Sequence, residues 1–187
     1  MYQGSERLPV EDGEAGRRRR RPVIRSAHSA EGERVTATVV AGCSGMPLCE
    51  WLAPNPGFRR GVLTGYFRIP VTHVLTHGYV EVIDGDHLPL AVAGWLPSSA
   101  PPAPPGYARQ VARATAPWDD RFRALDDDLA RVRAHGHRRL VFLAVLTTSQ
   151  GRGLGTALLD HHLGSLPGTA SPRTAHRSPS PAALNVC

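Results

Sequence analysis

The feature that most constrains this chain is one stretch, Leu140 to Leu163, LVFLAVLTTSQGRGLGTALLDHHL. Leu140 to Leu146 is a short apolar run rich in Leu, Val and Phe, the composition of a strand buried on both faces. A loop follows, Thr147 to Gln150, and then Gly151-Arg152-Gly153-Leu154-Gly155-Thr156. Ala157, Leu158, Leu159 and Leu163 recur at helical spacing, so the glycines fall where a helix begins. The unit is strand, glycine loop, helix. Such a unit holds an anionic ligand, because the first N–H groups of a helix lack intrahelical partners and carry the positive end of its dipole. Glycine removes the side chains that would keep a phosphate away.

Two familiar phosphate motifs do not fit. A Walker loop requires a lysine, and all 22 basic residues are arginine. A dinucleotide fingerprint requires a third glycine, where this chain has Thr156, and an acidic residue further on, where nothing acidic follows Asp160. What remains is Q-x-x-G-x-G at Gln150, Gly153 and Gly155, with LAVL before it and TALL after it. This resembles the acetyl-CoA site of the GNAT superfamily of N-acetyltransferases, which reads LAVxPxxQGxGxGxxLL. Thr147 stands where the family has proline, a change that alters loop stiffness but removes no ligand-facing N–H.

The resemblance implies specific roles. The pantetheine arm of acetyl-CoA would pair with the backbone of Leu143, Ala144 and Val145. The pyrophosphate would sit on the loop that Gln150 opens, on the amides of Gly151, Arg152, Gly153, Leu154, Gly155 and Thr156. The Arg152 side chain would add charge there or stand as a solvated arginine, and Thr156 would offer its hydroxyl. The chemistry would be direct attack of a neutral amine on the thioester, with the Val145 N–H stabilising the oxyanion. No metal is involved. Glu81 is a geometric candidate for taking the amine proton through water, set against a plain surface glutamate.

Further matches extend the resemblance over most of Pro22 to Leu166, with an actinobacterial-type flavour. Pro22-Val23-Ile24-Arg25 resembles the family's opening strand. Pro47-Leu48 with Trp51-Leu52-Ala53-Pro54 resembles a "DPLMRWLFPD" segment that borders the acceptor cleft, where Trp51 is expected to pack rather than touch ligand. Ala91 to Pro97, AVAGWLP, resembles the end of the third strand. The implied fold is α/β, the GNAT (acyl-CoA N-acyltransferase) fold, with a mixed, mainly antiparallel sheet of about four strands flanked by helices.

The remaining pattern supplies elements for that fold. Ser29 to Ala41 reads as a helix with Ser29 as N-cap, despite several β-branched residues. Phe58 to His77 has a helical pattern interrupted by Pro70, which predicts two pieces or a kink. Gly78–Ile83 and Leu88–Leu96 read as a hairpin joined by Asp84-Gly85-Asp86. Pro97 to Gly106 reads as a linker. Trp118 to Ala134 reads as a helix with Phe122, Leu125, Leu129 and Val132 on its buried face and Asp126 to Asp128 solvated. His135 and His137 read as loop histidines, and Cys43 and Cys49 as inert core or helix residues.

Three segments are expected: an Arg-rich disordered tail over 1–21, an incomplete GNAT domain over 22–166, and a disordered Pro/Ser-rich tail over 167–187. The resemblance calls for further strands and a tyrosine-bearing helix after Leu166. The abrupt change of composition there predicts a truncated or frameshifted coding sequence. The last strand would then expose an edge prone to aggregation unless another chain, such as a second copy in a homo-oligomer, covers it. The net charge of +6 is spread evenly over the three segments. The domain itself is thus near neutral, and nucleic acid is not an expected partner, although Arg17 to Arg21 could touch phosphates nonspecifically. No apolar run reaches membrane-spanning length and no secretory leader is visible, so a cytoplasmic protein without membrane contact is expected. The expected partners are acetyl-CoA and a small-molecule or protein amine. The competing expectation is an inactive remnant that binds only CoA or a partner protein.

Overall fold

The computed structural model describes residues 22–101, 103–131 and 139–165. Both tails, His135, His137 and Val132 lie outside them. Four strands form one antiparallel sheet in the order β1 (Ile24–Ser26), β2 (Tyr79–Ile83), β3 (Ala91–Leu96) and β4 (Arg139–Val145). The described residues also form six α-helices: α1 (Gly32–Cys43), α2 (Pro47–Leu52), α3 (Pro56–His77), α4 (Tyr107–Thr115), α5 (Asp119–Arg131) and α6 (Leu154–Gly164).

Strand alternation divides the core in two. Val80, Val82, Val92, Phe142 and Ala144 face α1 and α3, whose Val35, Val39, Leu63, Val71 and Val74 are fully buried against them. Each such aliphatic side chain contributes about 1.5–3 kcal/mol by leaving water. Ile83, Ala91, Ala93, Trp95, Leu143 and Val145 face the other way, toward Leu154 and Leu158 of α6. Near its start β4 carries a bulge opposite Gly94/Trp95. Gly94 is required there, because a Cβ would lie 2.3 Å from the Phe142 ring.

Several local expectations are corrected. Ser29 does not cap a long helix. Ser29–Glu31 is a short 3₁₀ turn, the Glu31 carboxylate accepts the His28 N–H at 2.8 Å, and α1 starts at Gly32. Pro70 does not divide its helix: α3 runs unbroken for 22 residues, because Phe67 on one side of the proline and Val71 and Val74 on the other are buried in the core. Asn55 caps its start by accepting the Gly57 N–H at 2.9 Å, with Pro56 in the first position. Asp84-Gly85-Asp86 is not a tight turn, since β3 begins only at Ala91 and residues 84–90 form the connection.

Trp51 is about half exposed, with the Arg121 guanidinium over its ring. Leu129 faces solvent. Asp126 is not a surface carboxylate: it accepts the hydroxyls of Tyr66 at 2.7 Å and Tyr107 at 2.8 Å, joining α3, α4 and α5. Burial of Tyr66 is the first cause pushing its hydroxyl pKa well above the ordinary value. Cys43 and Cys49 are buried thiols, as expected.

At the β1 edge, Arg25 donates to both Glu31 oxygens at 2.8 Å and to both Asp84 oxygens at 2.7 and 2.8 Å. The guanidinium hydrogen bond holds the Glu31 carboxyl down to about 2, and the same donor lowers Asp84. This fork ties the 3₁₀ turn, β1 and the β2–β3 connection together.

Candidate functional site

β4 and α6 create the site at the opposite edge. Among the described residues no strand pairs with the outer side of β4. Leu146 donates its N–H to Leu90 at 2.9 Å. The register Val92↔Ala144 and Gly94↔Phe142 places residues 142 and 144 in the same hydrogen-bonding parity as Leu146. Leu143 and Val145 therefore turn their backbone groups to the outer edge, while their side chains pack under α6.

The connection from β4 to α6 is a 3₁₀ turn, Thr147–Ser149, followed by the glycine loop. Gly151 (φ 74°) and Gly153 (φ 78°) are left-handed, which is the conformation that costs other residues most. A Cβ at either would meet nothing within 4 Å, so the loop surface is open. Gly153 caps α6 without any side-chain hydrogen bond to the first turn. The first donors of α6, on Leu154, Gly155 and Thr156, thus have neither intrahelical nor capping partners. Leu154 anchors the turn with its buried side chain, whereas Arg152 and Thr156 are exposed. Arg152 reaches Ser149 Oγ at 3.4 Å.

Gln150 braces the loop in a way its sequence position did not reveal. Its Nε2 donates to the Val145 carbonyl at 3.1 Å and to the Gly42 carbonyl at 3.3 Å. Thr147 Oγ1 donates to the Ala41 carbonyl at 3.1 Å. The end of α1 comes this close because residue 42 is glycine, where a Cβ would lie 2.8 Å from the Val145 oxygen. Val145 therefore has its carbonyl covered and its N–H directed along the open edge. A shallow cavity of about 340 Å³ adjoins this junction, lined by Val40, Ala41, Ser44, Pro56, Arg59 and Arg60.

Glu81 is not a surface glutamate. It is 4% exposed and lies on β2 under α6, in one row across the sheet with Ala93 and Leu143. Trp95 Nε1 donates to Oε2 at 3.0 Å, and His161 Nδ1 is bonded to Oε1 at 2.8 Å. His162 stacks on Trp95 at 3.6 Å and its Nδ1 meets the Tyr79 hydroxyl at 2.7 Å. A buried carboxylate costs stability unless both oxygens are paired, and here both are. The group fastens the second half of α6 to the sheet.

No protein-family model and no curated protein matches the chain. Among solved structures it is similar to the one described as histone acetyltransferase HPA2 and related acetyltransferase from Corynebacterium glutamicum. That match has 21% identity, covers 76% of this chain and 70% of that one, and has a TM-score of 0.52. A second solved structure, described as an acetyltransferase, is 19% identical over 75% of this chain and 71% of its own, with a TM-score of 0.36. The first likeness is one of architecture. Together with the antiparallel sheet, it shows that the chain shares the mixed α/β fold of that structure, with no strand beyond α6 among the described residues.

Proposed function

We propose that the chain is an N-acetyltransferase that takes its acetyl group from acetyl-CoA and delivers it to a primary amine. One observation carries this reading: the uncapped, glycine-lined start of α6 directly adjoins an open strand edge. An anion fits the first, because the opening N–H groups of α6 have no side-chain cap and the glycines before them leave open space. An extended amide-bearing arm fits the second, pairing with Leu143 and Val145 as an added strand would, with Ala144 holding the edge to β3. Gln150 keeps the loop and strand end in register, and Arg152 adds positive charge beside the loop.

Bound acetyl-CoA supplies a thioester. The amine nitrogen forms the new C–N bond as C–S breaks, the electron pair leaves with the CoA sulfur, and the proton lost by nitrogen reaches that sulfur through solvent. The chain's part is to place the Val145 N–H toward the carbonyl oxygen, where a preorganised donor is worth about 2.7–4 kcal/mol in comparable enzymes. Glu81 acts as the anchor for Trp95 and His161, since both its oxygens are engaged. Among the described residues no acidic group is bonded to the Val145 N–H, and in this reading the amine arrives neutral.

A second reading, an inactive remnant that retains CoA binding, is favoured by one fact: the hydroxyls of the three described tyrosines, Tyr66, Tyr79 and Tyr107, are already bonded to Asp126, His162 and Asp126. Thiol release from acetyl-CoA, measured across a panel of amines alongside calorimetric binding, separates the two. Binding with turnover supports the transferase, binding without turnover supports the remnant, and no binding by folded protein rejects both.

A further inference from the structure

The cavity beside the strand end has a one-sided charge. Its six lining residues include Arg59 and Arg60 and no acid. Arg59 is committed to the protein: Nε donates to Ala53 at 2.8 Å, Nη2 to Pro54 at 3.2 Å, and Nη1 pairs with Glu50 at 3.3 Å. Arg60 is exposed and has neither an ion pair nor a side-chain hydrogen bond among the described residues. The cavity is thus a small concave site with one open guanidinium fork, at the low end of the size range that small-molecule sites occupy.

Its position connects it to the proposed chemistry. The wall residue Ala41 holds the Thr147 hydroxyl, and the next residue, Gly42, lies against the Val145 oxygen and holds the Gln150 amide. A molecule seated between Ala41 and Arg60 therefore adjoins the end of β4, where the Val145 N–H points outward.

We infer that the acceptor amine carries a carboxylate, which the Arg60 guanidinium grips while the amino group faces the end of β4. This rests on the acetyl-transfer reading given above. A simple ammonium ion would meet the unpaired Arg60 charge, with no acid among the lining residues to hold it. A planar carboxylate matches a single free fork with two parallel N–H···O bonds.

The pairing also favours reaction. A free amino acid keeps its ammonium protonated partly through its own carboxylate, and a guanidinium on that carboxylate offsets the charge. The amine is then more readily neutral, as it must be to attack. The step balances as before: C–N forms, C–S breaks with its electrons on the CoA sulfur, and the amine proton ends on that sulfur by way of water.

The test uses a matched pair, phenylalanine and 2-phenylethylamine, with the full-length wild type and the exposed-site variants Arg60→Gln and Arg60→Lys. Thiol release gives kcat and KM separately, and calorimetry follows acetyl-CoA binding. Where turnover is absent, titrations of N-acetylphenylalanine and N-acetyl-2-phenylethylamine in the presence of CoA replace the rates. The inference predicts a preference of about tenfold or more for the carboxylate-bearing member, expressed mainly in KM. Arg60→Gln should bring that preference close to unity, Arg60→Lys should restore part of it, and acetyl-CoA affinity should stay unchanged. Equal treatment of the pair, binding of neither product, or a preference that survives Arg60→Gln overturns it. Failure of folded protein to bind acetyl-CoA instead overturns the acetyl-transfer reading, and the inference with it.

Discussion

The two edges of the sheet are finished in opposite ways. At β1, Arg25 binds Glu31 and Asp84 through four hydrogen bonds, and side chains satisfy one another across three segments. At β4, the backbone of Leu143 and Val145 faces outward and the next helix opens on an uncapped glycine. The first edge uses its polar groups for cohesion; the second keeps its donors available. The ion-paired edge and the proposed ligand site thus lie at opposite sides of one sheet, and substitutions should separate stability from binding.

The largest effect is expected beneath the open edge. Phe142→Ala removes a ring that is 2% exposed and rests on Gly94. It should cost about 3–5 kcal/mol in urea unfolding and lower acetyl-CoA binding only through loss of folded protein. A paired proline scan then sharpens the contrast along β4. Ala144→Pro removes an N–H that β3 uses and should cost about 3 kcal/mol or more. Val145→Pro removes an N–H that β3 does not use and should cost under about 1 kcal/mol. It should nevertheless reduce turnover by about 10²–10³-fold. Equal destabilisation by the two prolines would contradict the assigned parity.

At the closed edge, Arg25→Ala should cost about 1–2 kcal/mol near neutral pH, a modest figure because the guanidinium is one-third exposed. Glu31 has its pKa lowered in the folded protein, from 4.5 to about 2. Its stabilisation is therefore complete above the unfolded value and fades as the pH falls through the folded one. The advantage of the wild type over Arg25→Ala should shrink over that acid range, and acetyl-CoA affinity should be the same for both proteins. Constant destabilisation down to acid pH would break the account of this edge. The smallest effect is expected for Tyr79→Phe, which deletes the hydroxyl bonded to His162 under α6. It should lower stability by about 0.5–1.5 kcal/mol in thermal melts.

How legible each region was follows from the distance over which its cause acts. The strand, glycine loop and helix of residues 139–164 could be read directly, because their signals are local: an apolar run, left-handed positions that need glycine, and a leucine stripe. The Glu81 group could not be read, since His161 lies 80 positions away and only the antiparallel register brings α6 over β2. The division expected at Pro70 did not occur, because helix rules describe an isolated helix, whereas burial on both sides of the proline keeps α3 one helix. α4 escaped notice behind a proline-rich segment. Its signal was the i, i+4, i+8 stripe of Tyr107, Val111 and Thr115, of which Val111 and Thr115 are buried. Gly42 carries no local signal of its own, and its function as a close-approach point to Val145 emerges only once α1 and β4 are side by side.

The most direct test of the central claim is a calorimetric titration of acetyl-CoA into the wild type and into Gly153→Glu, each checked for cooperative unfolding. The substitution places a carboxylate at the start of α6, at a backbone φ of 78°, and should cost about 1–2 kcal/mol of stability. The account predicts saturable binding to the wild type and at least about 100-fold weaker binding to the folded variant. Equal affinity of the two folded proteins, or no binding by a folded wild type, would contradict it.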